Sequence, residues 1–243
     1  MTTSNRHRFA KQIAFVKARF SPEGYLGLHL TIGALIMIGA TWLFAAIAED
    51  VVTADRLTVV DVQFSAWLHA HGKPWLTAVL LLVTNVHATL GVTIITLAIF
   101  LYLHKNKERR WALTLALCVV GGMLLNVVLK NIFHRARPHF DNPILTLTSY
   151  GFPSGHTMAA TCLYGALGAL AMSKLKARRW RVLAVVMAGF MILLVGFSRI
   201  YLGAHYLSDV LGAMAEGLVW LAFCLTAVNM IDHHLRASPL TKA

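Results

Sequence analysis

Long apolar runs separated by short polar, mostly basic stretches set the pattern of this chain, and the lengths of the runs set its elements. Residues 25–48 carry no charged side chain, and at 1.5 Å per helical residue such a run crosses the roughly 30 Å hydrocarbon core of a bilayer. Its end, AAIAED, has the small residues of a signal cleavage site. The run is nevertheless too long, and the leader before it too extended, for a removed signal, so the pattern predicts a retained span. Residues 49–72 mix Glu49, Asp50, Asp55 and Asp61 with scattered apolar positions and predict an extramembrane loop with a short amphipathic helix. Residues 74–104 admit two readings: two short helices broken near 85–89, or a short surface helix followed by one span near 88–104. The second is preferred because 75–86 is too short to cross comfortably. Further spans are predicted at about 110–133, 155–173, 180–198 and 205–231.

The predicted fold is all-α: a polytopic membrane protein, a six-transmembrane-helix bundle with a short amphipathic helix between the first two spans. Residues 1–24 form a basic cytoplasmic segment, residues 25–232 the membrane domain, and residues 233–243 a short cytoplasmic tail. Within the first segment Phe9, Ile13, Val16 and Phe20 recur at spacings of one helical face, which suits either a helix on the membrane surface or a tail without fixed structure.

Composition strengthens the membrane reading. The chain is 58% hydrophobic and only 13% charged, about half the charge of a soluble domain, with a mean hydropathy of +0.65. The formal net charge of +12 would suggest nucleic acid in a soluble protein. Here the basic residues sort by loop instead, so no nucleic-acid partner is expected. Arg6, Arg8, Lys11, Lys17 and Arg19 precede the first span; Lys105, Lys107, Arg109 and Arg110 lie between the second and third; Lys174, Lys176, Arg178, Arg179 and Arg181 between the fourth and fifth; Arg236 and Lys242 follow the sixth. The bias of Lys and Arg toward the cytoplasm places all of these inside, and six spans make that self-consistent. The localisation expected is a bacterial-type inner membrane with both termini cytoplasmic. Arg56, Lys73, Lys130, Arg135, Arg137 and Arg199 then lie on the disfavoured side, where a retained positive cluster points to an anion site.

Cys118, Cys162 and Cys224 all fall in apolar runs without CxxC spacing and read as buried, free and inert. No zinc-type spacing and no HEXXH occurs, so neither metal nor cofactor is expected.

Three segments on the outer side carry candidate chemistry: KNIFHRARP at residues 130–138, PSGH at 153–156 and SRIYLGAHYLSD at 198–209. Lys130, Arg137 and Arg199 supply cations, two of them guanidinium forks suited to phosphate oxygens. Ser154 and the Gly155 backbone N–H supply neutral donors at a helix start, where the helix end also favours an anion. His205 and Asp209, four residues apart, share a helical face, so the carboxylate can fix one imidazole nitrogen and leave the other free to attack. His156, from a different helix, can protonate the leaving group. Singly, each piece also reads as a capped helix start, a snorkelling span end or a structural pair; the set gathers on the side that charge bias disfavours.

These motifs, in this order and complete at every signature position, resemble the three signatures of the type 2 phosphatidic acid phosphatase superfamily, and the six-helix layout is similar to that of its membrane lipid phosphatases. The resemblance implies His205 as nucleophile forming a phosphohistidine, Asp209 orienting it, His156 as general acid and then base, and Lys130, Arg137, Ser154, Gly155 and Arg199 holding the phosphoryl group, without a metal. The implied partner is a lipid phosphate reaching an outward-facing site: undecaprenyl pyrophosphate, phosphatidylglycerol phosphate, phosphatidic acid or a lipid A phosphate. A non-enzymatic lipid binder or transporter, and a relative of the vanadium haloperoxidases, are the competing readings. His134, Arg135 and His139 beside the first motif read either as contacts to a second phosphate or head group or as interfacial polar residues. Asn126, Glu216 and Asn229, polar positions within spans, are expected to find partners on other helices.

Overall fold

The structure is a computed structural model and describes residues 28–237. Among the described residues there are helices and no strands. Helix α1 is Leu28–Thr53; α2 is Arg56–Ala70, capped by Asp55, whose carboxylate accepts from the Arg56 N–H at 2.7 Å. Helix α3, Pro74–Val86, starts on a proline, whose fixed φ suits a first turn that needs no N–H. Helix α4 is Thr89–Lys105. Helix α5 runs Arg109–Phe133 with a π-turn at Leu117–Gly121. Helices α6, α7 and α8 are Gly155–Lys174, Arg178–Tyr201 and Leu207–Ala237.

Four helical stretches are long and apolar enough to cross a membrane: Leu30–Thr53, Arg109–Phe133, Arg178–Tyr201 and Leu207–Asp232. The α3–α4 pair passes the same test jointly, bent by 55°. The chain is therefore a multi-pass membrane protein. Leu35, Ile38, Trp42, Leu124 and Leu193 project from the bundle, as side chains meeting lipid do. Helix α6, predicted as the fourth of the six spans, is helical over 20 residues but less apolar. It is the central helix, with Thr157, Ala159, Ala160, Thr161, Leu163 and Ala166 buried, and a helix enclosed by protein needs small, close-packing residues more than lipid-soluble ones.

Two local expectations change. The 74–86 segment is not a detached surface helix: Leu76, Leu80 and Leu81 pack with Leu194, Ile200 and Leu202, and Tyr201 accepts the Lys73 N–H at 2.7 Å. The alternative of two helices broken near 85–89 describes it, because His87 closes α3 and a new helix starts at Thr89. Within 49–72 the helix is present as α2, but its buried positions include Asp61 and Ser65 while Val59, Val60, Val62 and Trp67 are exposed. The inward face is mixed: Asp61 is buried because Arg135 and Ser208 meet it, Leu68 is buried beside it, and the Ser65 hydroxyl has no partner among the described residues. The three cysteines are free and buried, as expected. The proposed surface helix at 1–24 lies outside the described residues, and α8 continues helically to Ala237, into the stretch expected to be a tail.

Besides a small cluster of Ile47, Ala48 and Phe152 that seats α1, the core that holds these elements has two main parts. One, around Cys118, Met158, Cys162, Leu163, Ala213 and Cys224, joins α5, α6 and α8. The other, around Leu80, Ile200, Leu202 and Val210, joins α3, α7 and the start of α8. At the π-turn the freed Leu117 carbonyl accepts from Trp220 Nε1 at 3.0 Å, which fixes α5 against α8.

Candidate active site

The C-terminal ends of α5 and α7 and the N-terminal ends of α6 and α8 meet at one end of the bundle. Helix α5 stops at His134, whose left-handed backbone (φ 48°) reverses the chain and whose N–H returns to the Lys130 carbonyl at 3.1 Å. That reversal brings Arg135 and Arg137 back over the helix end. Between α7 and α8, the Ala204 and His205 N–H groups both bond the Arg199 carbonyl, at 3.0 and 3.1 Å, and Gly203 takes φ 68°. The tight turn places His205 just ahead of the first turn of α8.

His205 is almost fully buried, at 1% exposure. Its Nδ1 lies 3.2 Å from Asp209 Oδ2, and its Nε2 lies 3.0 Å from Arg137 Nη1. A carboxylate only accepts and a guanidinium only donates, so these two neighbours fix the tautomer: hydrogen on Nδ1, lone pair on Nε2. Burial first, then the charges of Arg137, Arg199 and Lys130, push the imidazole well below its ordinary value, with the Gly151 backbone acting in the opposite sense. Burial and the three cations all favour the neutral form of the ring.

Arg137 is pinned along its length. Nε donates to the Ser149 carbonyl at 2.6 Å, Nη2 to Ser149 Oγ at 2.9 Å, and Nη1 to the Ala204 carbonyl at 2.6 Å. Burial holds its guanidinium below the usual value, and Asp209 works against that shift. Lys130 Nζ donates to the Tyr150 carbonyl at 2.8 Å. Arg199 is buried, donates to Thr84 Oγ1 on α3, and leaves its Nε with no partner among the described residues. An unpaired buried N–H on a guanidinium marks a place where an acceptor belongs.

Ser154 begins α6; its N–H donates to the Asp209 carbonyl at 3.0 Å, and its hydroxyl accepts from Thr157 Oγ1 at 3.0 Å. Gly155 follows, so close to α5 that an added Cβ would stand 3.2 Å from Asn126 Oδ1 and 3.8 Å from Lys130 Cε. His156 is half-buried and faces Arg199, His205, His87 and Arg137. All eight candidate residues named from the sequence, Lys130, Arg137, Ser154, Gly155, His156, Arg199, His205 and Asp209, therefore converge on one end of the bundle. Among the described residues no three His, Cys, Asp or Glu side chains come together as metal ligands.

Arg135 is engaged inside the protein. Its Nη1 donates to Asp209 Oδ1 and Ser208 Oγ, both at 2.5 Å, and its Nη2 to Asp61 Oδ2 at 2.7 Å. Those bonds leave the head-group reading of Arg135 without support. His134 stands edge-on to Tyr150, ring centres 4.4 Å apart. Sequence reasoning missed Asp61, Thr84, Ser149 and Ser208. Thr84 and Asp61 interrupt apolar runs, and that interruption was the only available signal. Asn126 does find a helix partner, donating to Glu216 Oε2 at 3.0 Å.

The PAP2 superfamily model matches residues 111–232. The Bacillus subtilis phosphatidylglycerophosphatase B is 35% identical over 184 residues, covering 73% of this chain and 88% of that protein. This chain belongs to the PAP2 superfamily. The three segments at 130–138, 153–156 and 198–209 all fall inside the PAP2 match. A second PAP2-like relative, the Bacillus subtilis undecaprenyl-diphosphatase BcrC, is 29% identical over 154 residues, 62% of this chain and 74% of its own length. The crystal structure of a transmembrane PAP2-type phosphatidylglycerolphosphate phosphatase from Bacillus subtilis superposes with a TM-score of 0.72 at 27% identity, covering 84% of this chain and 98% of that one. The PAP2 relatives named here are membrane lipid phosphatases, and the helical bundle of this chain is the PAP2 membrane fold.

Proposed function

We propose that this protein is a lipid phosphatase that hydrolyses a phosphomonoester or diphosphate on a membrane lipid through a phosphohistidine at His205. The observation that carries the reading is the buried His205 ring, with Nδ1 on the Asp209 carboxylate and Nε2 facing the Arg137 guanidinium. The incoming phosphoryl group takes the place in front of Nε2, and the Arg137 Nη1 hydrogen that meets Nε2 passes to a phosphoryl oxygen while the Ser149 and Ala204 bonds hold the guanidinium in place. The bound phosphoryl anion offsets the cations around His156, so that ring carries a proton when the substrate is in place; Nε2 of His205 attacks phosphorus while the bond to the lipid oxygen breaks, and His156 gives that proton to the departing oxygen. A water molecule then attacks the phosphohistidine, His156 takes the water's proton, and phosphate leaves with the His205 lone pair restored. Lys130, Arg199, the Ser154 hydroxyl and the Gly155 N–H hold the equatorial oxygens, where charge accumulates in the transition state.

Placing this site at a bundle end suits a substrate whose chain stays in hydrocarbon while its head meets the cations. We place both termini in the cytoplasm and the site outside, with six spans, on the loop distribution of Lys and Arg. The relatives' names set two lipids to try, phosphatidylglycerol phosphate and undecaprenyl diphosphate, and lipid A phosphates from the sequence reading complete the panel.

The test is phosphate release by the purified protein from that panel, with phosphatidic acid added, in the presence of a chelator, wild type beside His205→Ala. The expected outcome is release by wild type in chelator and loss of about 10⁴-fold or more in the variant, the scale seen when a catalytic nucleophile is removed. Undiminished release by His205→Ala would remove the phosphohistidine, and loss of wild-type activity in chelator would point to a metal.

A further inference from the structure

A buried carboxylate keeps its charge only if that charge is paired and its lone pairs are filled, and left alone it takes a proton. Asp209 is such a group. Its Oδ2 accepts from the Tyr206 N–H at 2.9 Å and faces His205 Nδ1, while its Oδ1 accepts from Arg135 at 2.5 Å. Around it stand Lys130 from α5, Arg135 and Arg137 from the loop that follows, His205 and Tyr206 from its own turn, and Asp61 from α2 on the far side of Arg135. Arg135 is therefore the only cation bonded directly to Asp209 among the described residues.

Arg135 itself is aimed by a second carboxylate. Asp61 is 1% exposed and accepts from Arg135 Nη2 at 2.7 Å, from the Ser208 N–H at 2.9 Å and from the Ser208 hydroxyl. The N–H of Ser208 belongs to the first turn of α8, where helix N–H groups lack intrahelical partners. One side chain from α2 thus caps the helix that carries Asp209 and anchors the guanidinium that Asp209 bonds. The Arg135 guanidinium also lies over the Tyr206 ring, 4.8 Å from its centre.

Building on the phosphatase reading above, we propose that Arg135 and Asp61 are positioning residues of the reaction: a guanidinium fork, anchored from α2, that keeps Asp209 ionised and directed at His205. Neither touches the phosphoryl group. A fork is required because one planar group must meet two carboxylates in fixed directions, which an ammonium does not do.

The two residues oppose each other in sign, and that separates positioning from general destabilisation. In Arg135→Gln a cation beside the hydrogen-bonded His205–Asp209 pair is gone, so the pair takes up its proton at higher pH and the acid limb of kcat/KM moves up by roughly one to two pH units. In Asp61→Asn a neighbouring negative charge is gone, so the limb stays or moves down, while kcat falls because Arg135 loses its anchor. Both variants are expected to lose roughly 10- to 100-fold in kcat, the range for partners that orient a reacting group. Arg135→Lys keeps the limb near the wild-type position without restoring kcat. Limb position does not depend on how much of a preparation is folded, so a poorly folding variant still reports. The experiment is the pH profile of phosphate release from phosphatidylglycerol phosphate for wild type and the three variants. An unshifted limb in Arg135→Gln, an upward shift in Asp61→Asn, or full recovery of kcat by Arg135→Lys would each overturn the proposal. Failure of the phosphatase reading shows separately, as an inactive wild type or an active His205→Ala.

Discussion

At His205 two neighbours, Asp209 and Arg137, fix the tautomer, and in the proposed mechanism that choice also sets which nitrogen attacks. With the imidazole pushed well below its ordinary value by burial and by Arg137, Arg199 and Lys130, kcat/KM corrected for substrate titration should stay level as pH falls through about 6.5 and drop only at more acid pH. Arg137→Gln removes a charge that opposes protonation, so its drop should come at higher pH than wild type; a pH profile measures both. Gly151 is a second point of sensitivity. A Cβ there would stand 3.1 Å from the Ala136 carbonyl and 3.3 Å from Asp209 Oδ2. Gly151→Ala should therefore lower kcat and cost about 1–3 kcal/mol of stability by overpacking, read from turnover and a melt in detergent. The candidate set was legible in the sequence because it falls in three short segments, each with local spacing: 130–138, PSGH at 153–156, and 198–209 with the four-residue step from His205 to Asp209. Asp61 and Thr84 were not, because their partners lie far along the chain: Arg135 and Ser208 for Asp61, Arg199 for Thr84.

Between elements, the close approach of α6 to α8 sets the geometry of the site, since Ser154 and Gly155 lie at the start of one and Asp209 in the first turn of the other. The helices meet at Gly217, where a Cβ would come within 2.7 Å of the Thr161 side chain and 3.2 Å of Met158 Sδ. Gly217→Leu should separate them, lowering both the detergent melting temperature and kcat, whereas Val186→Leu on the exposed face of α7 should change neither. The long apolar helices were readable from run length alone. The break between α3 and α4 was harder to place, because a segment too short to span looks like a surface helix until the leucines that receive it on α7 are known. Helix α6 illustrates the converse: its small and polar residues weaken its apolar signal because other helices enclose it.

For the whole molecule, the bundle separates two charged ends. The site lies at one, and Lys107, Arg109, Arg110 and Lys174 line a cavity of about 420 Å³ at the other. The orientation proposed from the basic loops predicts that a cysteine at Thr148 is labelled from outside intact cells and one at Ser173 is not; the buried native thiols keep the background low. Labelling at 173 alone would invert the bundle. The chemistry itself is tested most directly by rapid quenching of the enzyme during turnover of a radiolabelled lipid phosphate, followed by peptide mapping. The account predicts an acid-labile, base-stable phosphoryl group on the imidazole of His205 that forms and decays within the turnover time. Label on another side chain, or turnover with no covalent label at any quench time, would contradict it.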